Sequence, residues 1–117
     1  MLQELIKFRD KSEGKIEIIA ITNYENCINP LKNNGFFTVF SVESTEKAKF
    51  LDQNYELDGF IFKNQNCTQD DVSYFKTKNK KVMIFEVRSP KGIRSALKKH
   101  PDFILTDDLK ATMIEKY

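Results

Sequence analysis

Five short apolar runs punctuate the chain. They are KIEIIAI (Lys15 to Ile21), FFTVFSV (Phe36 to Val42), LDGFIF (Leu57 to Phe62), KVMIFEV (Lys81 to Val87) and PDFILT (Pro101 to Thr106). Each is rich in Ile, Val and Phe, the composition of a strand buried on both faces. Helix signals lie between them. Asn23 is placed to cap a helix carrying Cys27, Ile28 and Leu31, with Gly35 as its left-handed stop. Pro30 falls inside that helix and removes a backbone donor, so a kink or break is expected near Asn29. Ser44 or Thr45 caps the next helix, Thr68 with Asp71 forms a capping-box pair, and Ser89-Pro90 supplies a cap and a first-turn proline. Asp107 or Asp108 caps a last segment with Leu109, Met113 and Ile114 on one side. The N-terminal MLQELIKFRDKSEG, with Leu2, Leu5 and Ile6 amid charges, predicts an amphipathic helix.

The pattern is one helix followed by five βα units, which implies a parallel sheet with right-handed crossovers. The 117 residues form a single α/β domain, 1–117, by the usual size range. A complete (β/α)8 barrel needs about 250 residues. Five units therefore resemble the C-terminal part of such a barrel. The alternative is a flavodoxin-like open five-stranded sheet with helices on both faces.

Composition narrows the function classes. The chain is 40% hydrophobic with 10 Phe and 4 Tyr, enough for a packed core. Net charge is +2, so no nucleic-acid partner is implied. The FKTKNKK segment and Lys91, Arg94, Lys98 and Lys99 read as solvated helix faces and helix-end charges. Cys27 and Cys67 lack metal-ligand spacing, and His100 is distant from both in sequence, so no zinc site is expected. A reduced pair is favoured over a disulfide. The first residues lack the uninterrupted apolar core of a signal peptide, and no run reaches the ~20 apolar residues of a membrane span. A cytoplasmic location is the expectation.

Ligands in parallel α/β folds sit at the C-terminal ends of strands. Those ends carry Thr22 and Asn23; Ser41, Glu43 and Ser44; Lys63, Asn64 and Gln65; Glu86, Arg88 and Ser89; and Thr106, Asp107 and Asp108. An acid, a base and several amides on one rim suit an anionic ligand. Glu86 lies within an apolar run, where a carboxylate needs a partner. Arg88 falls on the same side of an extended strand. The two pair with each other, pair with a neighbouring strand, or face a ligand. Asp107 and Asp108 read as helix caps rather than metal ligands. His100, before Pro101, reads as a helix-end group, and no nucleophilic triad or phosphate loop is present.

The segment KKVMIFEVRSPKGIRSALKKHPDFILTDD resembles the end of the glycerophosphodiester phosphodiesterases. There the pattern is Val-x-Val-Trp-Thr-Val-Asn, a short helix, and an apolar run closing on Thr-Asp. Phe85 stands at the tryptophan, Glu86 at the threonine, Val87 at the valine and Arg88 at the asparagine, while Thr106 and Asp107 match the closing pair. IIAITNYENCINPLK is similar to the family's Ser-Phe-Asn strand and following helix, with Asn23 at the asparagine. The similarity runs from Lys15 to Asp108. The family's His-Arg motif is missing, and no Glu-x-Asp follows the first apolar run, where the family draws its acid/base and metal-binding groups; the one such triplet, Glu56-Leu57-Asp58, opens the third run.

The resemblance implies a partial or degenerate member of a family that hydrolyses glycerophosphodiesters to glycerol 3-phosphate and an alcohol, in lipid metabolism. It is not expected to be catalytic alone. Phe85, Arg88, Lys63 and Asn23 are the expected substrate-lining residues, with Glu86, Thr106 and Asp107 as structural or rim residues. No catalytic residue and no metal ligand is assigned. Calcium or magnesium is implied only for the complete family enzyme. A phosphodiester small molecule is the expected ligand, and a homodimer or a complementing N-terminal half the expected protein partner. The alternative is a receiver-like, non-catalytic interaction module.

Overall fold

A computed structural model describes residues 2–15, 17–87 and 89–106. Helix α1 (Leu2–Lys11) precedes five strands: β1 (Ile19–Thr22), β2 (Phe37–Ser41), β3 (Gly59–Lys63), β4 (Lys81–Phe85) and β5 (Phe103–Ile104). Helices α2 (Ile28–Asn33), α3 (Thr45–Asn54), α4 (Gln69–Thr77) and α5 (Pro90–Lys98) alternate with them. The strands pair in chain order, β1-β2-β3-β4-β5, and every pairing is parallel. Five parallel strands thus alternate with helices, consistent with five βα units; the segment expected to form the last helix lies outside the described residues. Among the described residues no helix is long and apolar enough to cross a membrane.

Strand order decides which faces carry helices. A sheet that always steps the same way, with right-handed crossovers, puts every crossover helix on one side. The packing follows this rule. Phe40, Phe60, Phe62, Val82 and Ile84 meet Ala48, Leu51, Val72, Phe75, Ile93 and Ala96 in one core. Phe75 sits at its centre, 5.0 Å from the Phe60 ring and 5.8 Å from Phe62. The alternate strand residues Val39, Ile61 and Met83 form a second cluster, with only Phe37 and Phe85 packed on it. The flavodoxin-like alternative is thereby corrected. A doubly wound sheet reverses its order at a switch point and carries helices on both faces, and this sheet has no reversal. The winding is that of a (β/α)8 barrel, carried through five units.

The helix starts follow their sequence signals. Ser44 accepts from Lys47 N (3.2 Å), Thr68 and Asp71 form a reciprocal capping box, and Ser89 accepts from Gly92 N (3.0 Å) ahead of Pro90. The second helix departs from expectation. Asn23 does not cap it; a 3₁₀ turn over Glu25–Cys27 comes first and α2 begins at Ile28. Pro30 then lies in the first turn, where its missing N–H leaves no intrahelical bond unmade. The expected break exists, at the 3₁₀-to-α junction rather than at Asn29.

The ends of α2 and α4 share one motif. Phe36 N donates to Leu31 O and Gly35 N to Lys32 O; Lys80 N donates to Phe75 O and Asn79 N to Lys76 O. These are Schellman pairs, closed by a left-handed residue, here Gly35 (φ 78°) and Asn79 (φ 61°). His100 (φ 57°) takes the same place after α5, donating to Leu97 O while its carbonyl accepts from Lys76 Nζ (2.9 Å).

The strand starts carry a feature that sequence reading passed over. Asp58 Oδ2 accepts from Thr38 N (2.7 Å) and from Lys32 Nζ (2.7 Å), while Asp58 N donates to Thr38 O (2.9 Å). Asp102 repeats this one unit later: Oδ2 accepts from Val82 N (2.8 Å) and Asp102 N donates to Val82 O (2.8 Å). Each aspartate clamps the start of the preceding strand to its own. Gly59 follows Asp58 because a Cβ there would lie 2.4 Å from Lys81 O.

Two outcomes test these assignments. Asp58→Ala strands the buried Thr38 N–H and the Lys32 ammonium, and is expected to lower stability by about 2 kcal/mol in urea denaturation. His100→Gly relieves a left-handed backbone and is expected to raise it by up to about 1 kcal/mol. A fall in the His100→Gly midpoint would contradict the strain assigned to that residue.

Candidate functional site

Side-chain alternation sets what the face opposite the crossover helices presents; Arg9 of α1 stands at its N-terminal end, near Ile19, Phe37, Lys81 and Phe103. From each strand the inward positions are Ile19 and Ile21; Phe37, Val39 and Ser41; Gly59, Ile61 and Lys63; Lys81, Met83 and Phe85; and Phe103. The face is apolar through its middle and turns polar at the C-terminal ends. Register aligns the rows: Ser41 pairs Ile61, Ile61 pairs Met83, and Lys63 pairs Phe85.

Two adjoining depressions open there. One, of about 770 Å³, is bordered by Asn23, Ser41, Ser44, Lys47, Lys63 and Phe85. The other, of about 570 Å³, is bordered by Ile21, Ile61, Phe85, Glu86, Leu105 and Thr106. Ser41 and Phe85 belong to both. Of the residues expected to line substrate, Asn23, Lys63 and Phe85 stand around the same depression. Arg88 and Asp107 lie outside the described residues.

Glu86 is not a strand residue. β4 ends at Phe85, and Glu86 takes a left-handed backbone (φ 58°) with an exposed side chain. The expectation of a carboxylate within a buried run is corrected: the turn carries it out of the run. Its partner is Lys63 on the adjacent strand, 3.7 Å away, with both side chains about two-fifths exposed. So long and wet an ion pair constrains Lys63 little. Thr106 Oγ1 donates to the Val87 carbonyl, which ties the segment after β5 to the end of β4.

Lys47 was not legible as a rim residue. It lies three positions after the Ser44 cap, on the first turn of α3, and that turn returns its side chain to the rim. Its ammonium meets Glu25 at 2.7 Å, and this hydrogen bond holds the Glu25 carboxyl below its ordinary range. A cap immediately after a strand was the available signal, since the third residue of such a helix lies over the strand end.

Chemically, the rim is of mixed charge: Lys47 beside Glu25, Lys63 beside Glu86, and Glu43, with serine hydroxyls, amides and one aromatic wall. Such a set suits a polar ligand carrying an apolar or polyol portion. Among the described residues, no three His, Cys, Asp or Glu side chains come together to hold a metal. His100 lies at the opposite end of the units, after α5. Cys27 and Cys67 are both free, and Cys67 is buried in the helix-side core. Burial, with Asp71 nearby and Lys99 opposing, pushes the Cys67 thiol up to about 11. It is a packing group and not a nucleophile.

Compared with protein-family models and with curated proteins, this sequence matches none. The fold itself is a singly wound parallel α/β sheet with a polar rim of mixed charge at the strand ends.

Cysteine reactivity checks the assignment of Cys67. At pH 7.5 iodoacetamide is expected to modify Cys27 first and Cys67 at least tenfold more slowly, with both reacting at like rates in urea. Mass spectrometry of peptides reads the order. Fast native labelling of Cys67 would show its thiol to be open and ionisable.

Proposed function

We propose that this chain is a partial relative of the glycerophosphodiester phosphodiesterase barrel. In this reading it binds a phosphate ester of glycerol at the C-terminal rim and does not hydrolyse it alone. The observation that carries the reading is the Lys63–Phe85 pair. The two stand in register on adjacent strands and border one depression with Asn23 and Ser41. Lys63 would meet the phosphoryl oxygens, the Ser41 hydroxyl and Asn23 amide would take polyol or ester oxygens, and Phe85 would floor the carbon portion.

Hydrolysis is left out on the chemistry of the residues. Ca²⁺ or Mg²⁺ needs about six oxygen ligands. Glu25, Glu43 and Glu86 are the carboxylates around the rim among the described residues, and they belong to no three-group cluster. A displacement at phosphorus would also need an activated water and a proton donor. The one histidine follows α5 at the other end of the units. The receiver-like reading fits less well. It calls for a doubly wound order and a phosphate-accepting aspartate after the third strand, where Lys63 stands.

The test is a ¹⁵N-resolved titration with glycerophosphocholine and with glycerol 3-phosphate. Shifts are expected at Ser41, Lys63 and Phe85, with Lys63→Gln weakening binding about tenfold. Ligand-independent spectra at millimolar concentration would sink the binding assignment. Release of choline by the wild-type chain with Ca²⁺ or Mg²⁺ would sink the claim that it is not hydrolytic alone.

A further inference from the structure

The described sheet has two edges, β1 and β5, each with a single neighbour. The face opposite the crossover helices is closed in the middle and open at those edges. Val39, Ile61 and Met83 are at most 5% exposed, whereas Ile19, Ile21, Phe103 and Leu105 are all above 40%. Exposed apolar side chains on this face are therefore concentrated on and next to the two edge strands. Edge strands of monomeric proteins usually carry lysine, proline or a bulge to prevent pairing. β1 reads Ile-Ala-Ile-Thr and β5 Phe-Ile, with no lysine or proline; β5 is short, and Leu105 N lengthens its pairing by donating to Ile84 O (2.8 Å).

We propose that two copies of this chain close into one all-parallel ring of strands, the β1 edge of each pairing with the β5 edge of the other. Four observations select a second copy as the occupant. The first is symmetry. A two-fold axis along the strands places β1 beside the partner's β5 at both seams, and one operator satisfies both edges. The second is direction. This axis keeps the new pairs parallel, the same ladder that joins every other neighbour in the sheet. An axis across the strands would join β1 to β1 in antiparallel fashion and leave β5 unpaired.

The third is parity. Ile19 and Ile21 alternate with Ala20, and Phe103 and Leu105 alternate with Ile104, which packs on the helix-side core. Both edges thus turn their exposed side chains toward the same interior. The fourth is size. Branched Val, Ile and Leu dominate the interior of an eight-stranded ring. Here Phe37, Phe85, Phe103 and Met83 point inward, and diameter grows with strand number. A ten-stranded ring has the room that these larger side chains fill. Closure also gives the rim depressions their fourth side, because Ile21 and Leu105 border one of them from the two edges. The proposal stands without the ligand reading, since it rests on the edges.

The test uses mass and cross-linking in a Cys27→Ser, Cys67→Ala background. Light scattering at 50 µM is expected to give twice the 13.7 kDa chain mass. Ile21→Cys and Leu105→Cys chains, each oxidised alone, are expected to stay uncrosslinked. Refolded together and oxidised, they are expected to form a disulfide-linked pair, and the Ile19→Cys with Phe103→Cys set reads the lower seam. Ile21→Asp is expected to abolish the doubled mass while retaining the far-ultraviolet spectrum of the α/β fold. A single-chain mass for the parent, leaving the edges to some other chain, overturns the proposal. So does a dimer that cross-links through like positions or through neither pair.

Discussion

A single carboxylate holds three elements in place. Asp58 takes the N–H of Thr38 at the start of β2 and the ammonium of Lys32 on α2, while its own backbone opens β3. Thr38 is fully buried, so its N–H has no water to turn to. The Asp58 carbonyl then accepts from Lys81 N, which starts β4, and Asp102 repeats the arrangement between β4 and β5. Strand register across β2 to β5 is thus fixed at the N-terminal ends by aspartates. Among the described residues the C-terminal ends have no such aspartate clamp; there Thr106 is tied to the Val87 carbonyl, and the polar rim stands. In parallel α/β folds that end is the one left to ligands.

Alternation within the strands does the rest. Even-numbered residues of β2 to β5 feed the helix-side core and odd-numbered ones the open face. The rim is where the odd series becomes polar, at Ser41 and Lys63, before Phe85 restores an apolar wall. The cation and the ring stand side by side because β3 and β4 are in register at that row.

Much of this was legible in the residues. The five runs, the Ser44, Thr68 and Ser89 caps and the Gly35 stop each rest on local chemistry that a single segment contains. Asn23 and Lys63 were legible as rim residues because strand ends are predictable once strands are, whereas Phe85 was named only through the family resemblance. What was not legible depends on more than one segment. Strand order chooses between a sheet with helices on one face and one with helices on both, and no single run encodes it. Asp58 and Asp102 carry no local signal, since their partners lie 20 residues upstream. Glu86 was misplaced because a left-handed residue without glycine leaves no mark in a hydrophobicity pattern. Lys47 was passed over because it lies on a helix, and only the fold returns that turn to the strand ends.

The sequential strand order has a further consequence, for how cooperativity is distributed. Each unit touches chiefly the one before and the one after, so the molecule is close to a one-dimensional array, as solenoids are. Every strand pairing then joins residues roughly 20 positions apart, so each loop to be closed is of similar length. Damage is felt according to position along the line. Loss of β5 removes one terminal interface, whereas a break at β3 cuts the array into two pieces too small to close a core. Phe60 and Phe62, with Phe75 against both, occupy that central link.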